Sequence, residues 1–312
     1  MIKKNGFISI SIIYSFFVVF LLLMLLIMST YINNRFSFTI YKNDIKKKNT
    51  ETYDPYGSSP KLANYISTIV SSSSSWLVTS EYGIRFQGNT PNNYVRFNGE
   101  RWRIIGVFDS GTHGVSGASL VKIVKDTPLS ISSTNTNEMT IAYHSGYNTW
   151  SNSPLRTYLN GTYLTSRVNS ESKNLIQNVT WKTGTYATYL NDRLTSQYNY
   201  ERYGTGTSGS VGLIYPSDYG YASLASYCPR TTYYLKNFEL CRSYNWLDIS
   251  SEEWTITPSP SSGQAYYIHP DGYIAEKAVT NYYAIRPVVY LKANVVLSGG
   301  SGTYDDPYTI AI

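Results

Sequence analysis

Cysteine and histidine are almost missing from this chain, which holds two of the first and three of the second in 312 residues. A zinc site needs four ligands at set spacings, and none of His113, His144 and His269 stands at such a spacing from Cys228 or Cys241. A metal is therefore the weakest reading of the cysteine pair. Charge is also scarce: Asp, Glu, Lys and Arg make up 15%, well below the roughly one quarter usual in globular chains. No repeat of fixed period occurs, so a solenoid or propeller is not indicated, and no Ser, His and Asp set has a recognisable nucleophile motif. The tail lacks an LPxTG-type sorting signal and a second apolar run, so the expected anchor lies at the N-terminus alone.

What charge there is sits in one place. Lys3, Lys4, Arg35, Lys42, Lys46, Lys47 and Lys48 face only Asp44 within residues 1–48, and they account for the whole net charge of +6. The remainder is neutral. A nucleic-acid binder would carry its excess on a folded face, so no nucleic acid is expected as a partner. Between the basic groups, residues 7–32 (FISISIIYSFFVVFLLLMLLIMSTYI) hold no charge, and about 20 apolar residues suffice to cross a bilayer. The run is too long for a cleaved secretory signal and no Ala-x-Ala site follows, so an uncleaved membrane-spanning helix in contact with lipid is expected.

Counting positive charges alone would leave the C-terminal part in the cytoplasm, because more of them follow the span than precede it. Two observations argue the other way. The start, Lys3-Lys4-Asn5-Gly6 followed by Phe7 and a long apolar helix, resembles a type IV prepilin. That resemblance implies cleavage between Gly6 and Phe7, an extracellular body, and pilin-like subunits as partners. It departs from the family at Ser11, where pilins usually carry Glu. Cys228 and Cys241 close a short loop, and a disulfide of about 3 kcal/mol in an oxidising compartment is the expectation, with two free thiols as the alternative.

Past the span, residues 33–75 read as a polar juxtamembrane stalk with at most one short helix, around Leu62 to Val70. A globular domain is expected over 76–297 and a closing strand or tail over 298–312. Runs 101–108 and 119–125 read as paired strands. Ser153 as cap and Pro154 as first residue open a helix that Asn160-Gly161 should stop, and a second helix is expected over 170–179. Further strands are predicted at 211–215, at 265–268 and 273–275 about a Pro270-Asp271-Gly272 turn, and at 283–291.

The order of these strands with Trp150-Ser-Asn-Ser-Pro-Leu-Arg, Trp246-Leu247, His269-Pro-Asp-Gly and Ala284-Ile-Arg-Pro-Val-Val-Tyr-Leu resembles a bacterial surface domain with a C-type-lectin-like core, akin to formylglycine-generating enzymes. The resemblance spans about residues 94 to 292 and implies an α+β fold in which Ile285-Arg286-Pro287 closes the core sheet. Arg286, Trp102 and Trp246 are then structural, with Arg286 satisfied by backbone carbonyls. His269-Pro270-Asp271 lacks the first oxygen ligand of the calcium-binding tripeptides, and the cysteines do not match the reactive pair of the enzymes.

No cofactor is implied. Gly204-Thr-Gly206-Thr-Ser-Gly209 fits a dinucleotide pattern but precedes a strand instead of a helix. Asp218, Asp248, Glu252 and Glu253 are the carboxylates available for glycoside hydrolysis, and Asp218 and Asp248 read better as cap or turn residues. With 32 tyrosines, the expected protein is a non-catalytic, membrane-anchored surface protein that contacts a glycan or partner protein. A cell-wall polysaccharide hydrolase is the alternative.

Overall fold

The structure is a computed structural model and describes Met24 and residues 59–71, 76–80, 83–129, 142–184, 194–204, 206–231 and 234–312. The leader positions Gly6 and Phe7, and the apolar run 7–32 apart from Met24, lie outside the described residues. Among the described residues no helix is long and apolar enough to cross a membrane. The chain divides into two compact units, Met1–Ser59 and Pro60–Ile312.

The second unit is α+β. Helix α1 (Leu62–Ser71) leads to β1 (Leu77–Ser80), β2 (Gly83–Phe86), β3 (Tyr94–Phe97), β4 (Glu100–Phe108), the one-turn α2 (Ser110–His113) and β5 (Leu120–Lys125). Three short helices follow, α3 (Pro154–Tyr158), α4 (Leu164–Ser166) and α5 (Ser170–Leu175), then β6 (Ile176–Gln177) and β7 (Val179–Trp181). Next come α6 (Leu194–Glu201), β8 (Thr207–Gly209), β9 (Val211–Gly212) and α7 (Pro216–Ala222). Strands β10 (Glu253–Pro258), β11 (Gln264–Ile268), β12 (Ile274–Ala278), β13 (Val288–Leu291), β14 (Val296–Gly299) and β15 (Thr309–Ala311) complete the unit.

One eight-stranded sheet runs β1-β2-β4-β5-β13-β6, with β3 joined to β4 and β9 to β13. Smaller sheets are β10-β11-β12, β14-β15 and β7-β8, and all these pairs are antiparallel. The central strands carry apolar residues on both faces: Ile104, Ile105, Val107, Val121, Ile123 and Val288 are all buried. A strand covered on both faces reads as an apolar run without alternation, which is how 101–108 reveals itself in sequence.

Several expectations hold and several shift for identifiable reasons. The predicted pair is β4 with β5, and Ser153 caps α3 by accepting the Arg156 N–H, with Pro154 at the first turn. The helix does not stop at Asn160-Gly161. It widens into a π-helical turn, Leu159–Tyr163, and continues as α4. Asn160 is engaged elsewhere: its Oδ1 accepts from Ser210 N at 2.8 Å and Val211 N at 3.0 Å, while its Nδ2 donates to Val211 O at 2.9 Å. These bonds tie the helix to β9, where a terminal cap was expected. The second helix ends at Leu175 because Ile176 enters the sheet opposite Leu291. Of 283–291 only Val288–Leu291 is strand; Pro287 has no N–H to give a ladder, and Ala284 makes a single bridge to Glu253.

The unit also starts earlier than Trp76. Leu62, Ala63 and Ile66 of α1 are buried in the core, and Leu62 N donates to Val295 O at 2.9 Å, so this helix packs with the domain and not in a stalk. At the other end, the β14-β15 hairpin packs on β3: Tyr308 N donates to Tyr94 O at 2.9 Å and Arg96 N to Tyr308 O at 2.8 Å. Leu62→Ala is expected to lower unfolding free energy by about 2–5 kcal/mol in urea titration; a change within experimental error would separate α1 from the cooperative unit.

Candidate functional site

The main sheet places four residues in one row. Arg85 of β2 is opposite Gly106 of β4, Gly106 is opposite Lys122 of β5, and Lys122 is opposite Tyr290 of β13. Directly opposed residues of antiparallel strands share a face. Gly106 carries no side chain, and a Cβ there would collide with the Ile84 carbonyl oxygen and crowd Arg85 Cα. Two cations are thereby left flanking an empty position, and both reach the same carboxylate. Asp218, in the first turn of α7, accepts from Arg85 Nη1 at 2.9 Å and from Lys122 Nζ, while its Oδ2 also accepts the Tyr215 N–H at 2.9 Å.

Aromatic rings enclose this cluster. The Arg85 guanidinium lies 4.5 Å from the Phe108 ring centroid and 4.6 Å from that of Tyr221, and Lys122 Nζ lies 4.4 Å from that of Tyr215. Glu201, at the end of α6, faces the same cavity and accepts from Ser217 N at 2.9 Å, from Ser217 Oγ and from Gln197 Nε2 at 3.0 Å. The cavity measures about 10 Å³. That is room for one water.

Burial governs the protonation of these groups. It would raise the Asp218 carboxyl, but the Lys122 and Arg85 charges overcome it and hold the group below its usual range. Burial lowers the Lys122 ammonium against the pull of Asp218. Among the described residues no cation pairs with Glu201, and burial lifts its carboxyl from 4.5 to about 7 in spite of the Ser217 and Gln197 bonds.

The other carboxylates are engaged separately. Glu253 and Arg286 form a buried two-pronged pair, Nε to Oε1 and Nη2 to Oε2, both at 2.8 Å, and Arg286 Nη2 also donates to Leu247 O at 2.6 Å. Arg286 is thus a buried structural group as expected, but a carboxylate and not carbonyls alone satisfies it. Asp248 accepts from Arg242 Nε at 3.0 Å, Tyr219 Oη at 3.1 Å and Ser250 Oγ at 3.2 Å, fixing the turn after Trp246-Leu247. Glu252 is half-buried, and its backbone carbonyl accepts from Ala284 N at 2.8 Å. Trp102 is fully buried edge-on to Phe97, and Trp246 donates its indole N–H to Phe86 O at 2.9 Å.

The remaining motifs find plain roles. His113 is buried against the Phe108 carbonyl, and His144 Nδ1 accepts backbone N–H groups of Ser145 and Tyr147. His269-Pro-Asp forms the tip of the β11-β12 hairpin, with Asp271 N donating to His269 Nδ1 and the imidazole stacked 4.3 Å from Tyr273. Among the described residues no group of three or more His, Cys, Asp or Glu is placed to hold a metal ion. The glycine pattern at 204–209 follows α6 and runs into β8, paired with β7; no helix N-terminus follows it to receive a phosphate.

At the surface the disulfide is formed, with Cys228 and Cys241 Cα atoms 5.8 Å apart and both cysteines buried. It joins the segments that carry Tyr227, just before Cys228, and Tyr244, just after Cys241, whose rings stack face to face, 4.3 Å between centroids and 2° from parallel. Gly272 of the neighbouring hairpin tip lies against the Arg242 side chain, where a Cβ would not fit. The Tyr227–Tyr244 loop and the His269–Tyr273 tip therefore adjoin. A second surface feature is an open groove of about 340 Å³ over the β3-β4 turn, whose walls include the ion pairs Lys125–Glu100 at 2.5 Å and Arg101–Asp126 at 4.0 Å. Tyr304 lies at its edge, 3.9 Å beneath the Arg101 guanidinium.

Sequence reasoning did not single out Arg85, Gly106, Lys122 or Glu201. The signal available was a lone charge inside a short apolar run, Ile84-Arg85-Phe86 and Val121-Lys122-Ile123. No family model matches the chain, and neither a curated protein nor a solved structure matches it.

Two measurements check this electrostatic description. Glu253→Gln leaves Arg286 short of its counter-charge and is expected to cost about 3–5 kcal/mol by chemical denaturation. Because folded Glu201 holds its proton more tightly than the unfolded group, its contribution to stability is full below about pH 4.5 and is lost as pH rises through about 7. The loss amounts to about 3 kcal/mol, and Glu201→Gln should flatten that part of the stability–pH curve.

Proposed function

We propose that this chain is a membrane-anchored extracellular surface protein that binds a neutral glycan or a partner protein and performs no catalysis. In this reading the apolar run 7–32 is the anchor, entered through a prepilin-like leader with Gly6 and Phe7 at its boundary. The unit Pro60–Ile312 is a C-type-lectin-like domain held outside the cell, and pilin-like subunits are candidate neighbours. The observation that carries the reading is the stack of Tyr227 on Tyr244 at the surface, on the two segments that the Cys228–Cys241 disulfide joins. Preformed aromatic area costs little entropy on binding, and a covalent link holds those segments together before the ligand arrives. The disulfide also favours an oxidising compartment.

The hydrolase alternative needs two carboxylates facing one substrate. Asp218 and Glu253 are instead committed to buried ion pairs, and Asp248 to three donors. The cavity that Asp218 does face admits a single water and no sugar ring.

The detergent-solubilised full chain is expected to retain a ligand on a glycan array or in pull-down from bacterial surface extracts. Tyr227→Ala and Tyr244→Ala should each weaken that binding about tenfold. Protease added to whole cells should digest the C-terminal unit. A protected C-terminal unit would refute the extracellular reading. Turnover of peptidoglycan fragments that disappears in Asp218→Asn, Asp248→Asn or Glu252→Gln would replace binding by hydrolysis.

A further inference from the structure

The geometry points to an intramolecular amide bond between Lys122 Nζ and the Asp218 side-chain carboxyl, formed by the folded protein with loss of one water. The two groups are already in direct contact, both side chains 1% exposed, and they come from elements far apart in sequence, strand β5 and helix α7. A buried contact of this kind holds the reacting atoms together without competition from solvent, so little entropy is left to lose in the condensation.

Arg85, the aromatic cage and Glu201 supply what the chemistry requires. Arg85 Nη1 donates to Asp218 Oδ1 at 2.9 Å, the oxygen on which negative charge develops when the amine adds to the carboxyl carbon. Lys122 shares the Asp218 charge with Arg85 and sits in a desolvated cage of Phe108, Tyr215, Trp181 and Tyr290 rings. Burial moves the ammonium toward the neutral amine, the form that carries the lone pair. Glu201 faces the same one-water cavity and exchanges protons near neutrality.

Lys122 passes one proton through the cavity water to Glu201, and the freed Nζ lone pair attacks Asp218 Cγ. The tetrahedral carbon carries Oδ1, held by Arg85, and Oδ2. Glu201 returns its proton to Oδ2, the second Nζ proton follows, and Oδ2 leaves as water while the carbonyl re-forms at Oδ1. An ammonium and a carboxylate become an amide and one water, no electrons are exchanged, and Glu201 ends as it began. Glu201 acts here as a proton carrier. The inference does not depend on the surface-binding reading, since it concerns only the interior of the folded unit.

The test is the intact mass of the purified full chain, with the disulfide reduced, compared with that of Lys122→Arg so that any N-terminal processing cancels. After allowance for the substitution, the natural chain is expected to be lighter by one water. Digestion is expected to release one branched peptide joining the Lys122 and Asp218 segments, and Glu201→Gln to reduce the linked fraction. Equal corrected masses would overturn the proposal. So would a water loss with the Lys122 and Asp218 peptides recovered separately. If Lys122→Arg does not accumulate, peptide mapping of the natural chain alone decides between the linked and unlinked states.

Discussion

Asp218 is the carboxylate on which the interior is organised. Taking an ion from water into a protein interior costs several kcal/mol, and the cost is tolerable only if each charge finds matched partners. Asp218 supplies them for two strands at once: Arg85 brings β2 and Lys122 brings β5 to one helix terminus, and the Tyr215 N–H ties that terminus to the same oxygen. Ser217, the adjacent residue, fastens α6 through Glu201. The placement of α6 and α7 on the sheet thus follows from charge satisfaction as much as from apolar burial. A helix shifted by one residue would leave two cations and an acid unpaired in a dry cage.

The parts of this fold that were legible in sequence are those encoded locally. An uninterrupted apolar run gives β4 and β5, Ser153-Pro154 gives the start of α3, and Pro270-Asp271-Gly272 gives the β11-β12 turn. What was not legible depends on partners distant in the chain. Asn160 looks like a helix terminator until its bonds to Ser210 and Val211 are seen, and Leu62 looks like part of a stalk until Val295 meets it. Asp218 was readable as a cap, and it does accept the Tyr215 N–H, but a cap residue gives no sign that it also anchors Arg85 and Lys122. The Arg286 partner was missed for the same reason, since Glu253 lies in another strand and only the tertiary fold brings it near.

Tyrosine illustrates the same divide. Its abundance suggests an adhesive exterior, yet many of these rings lie in the interior: Tyr143, Tyr215, Tyr219, Tyr266 and Tyr290 are all buried. Two of the hydroxyls meet backbone acceptors, Tyr143 at Ile256 O at 2.8 Å and Tyr215 at Lys182 O at 2.6 Å, whereas among the described residues the buried Tyr290 hydroxyl meets none. Composition alone therefore overstates the outward-facing set; among the described residues Tyr147, Tyr203, Tyr227, Tyr282 and Tyr304 are the exposed rings.

The contact between α1 and the C-terminal hairpin has a mechanical meaning. Leu297 N donates to Pro60 O at 2.9 Å, and Leu297 is paired in turn with Ile310, so the segment entering the unit and the segment ending it run side by side. Traction applied through Pro60 therefore loads the β14-β15 ribbon together with α1, which packs on the main sheet. Anything fused after Ile312 would emerge from the same pole, leaving the far side of the unit unobstructed.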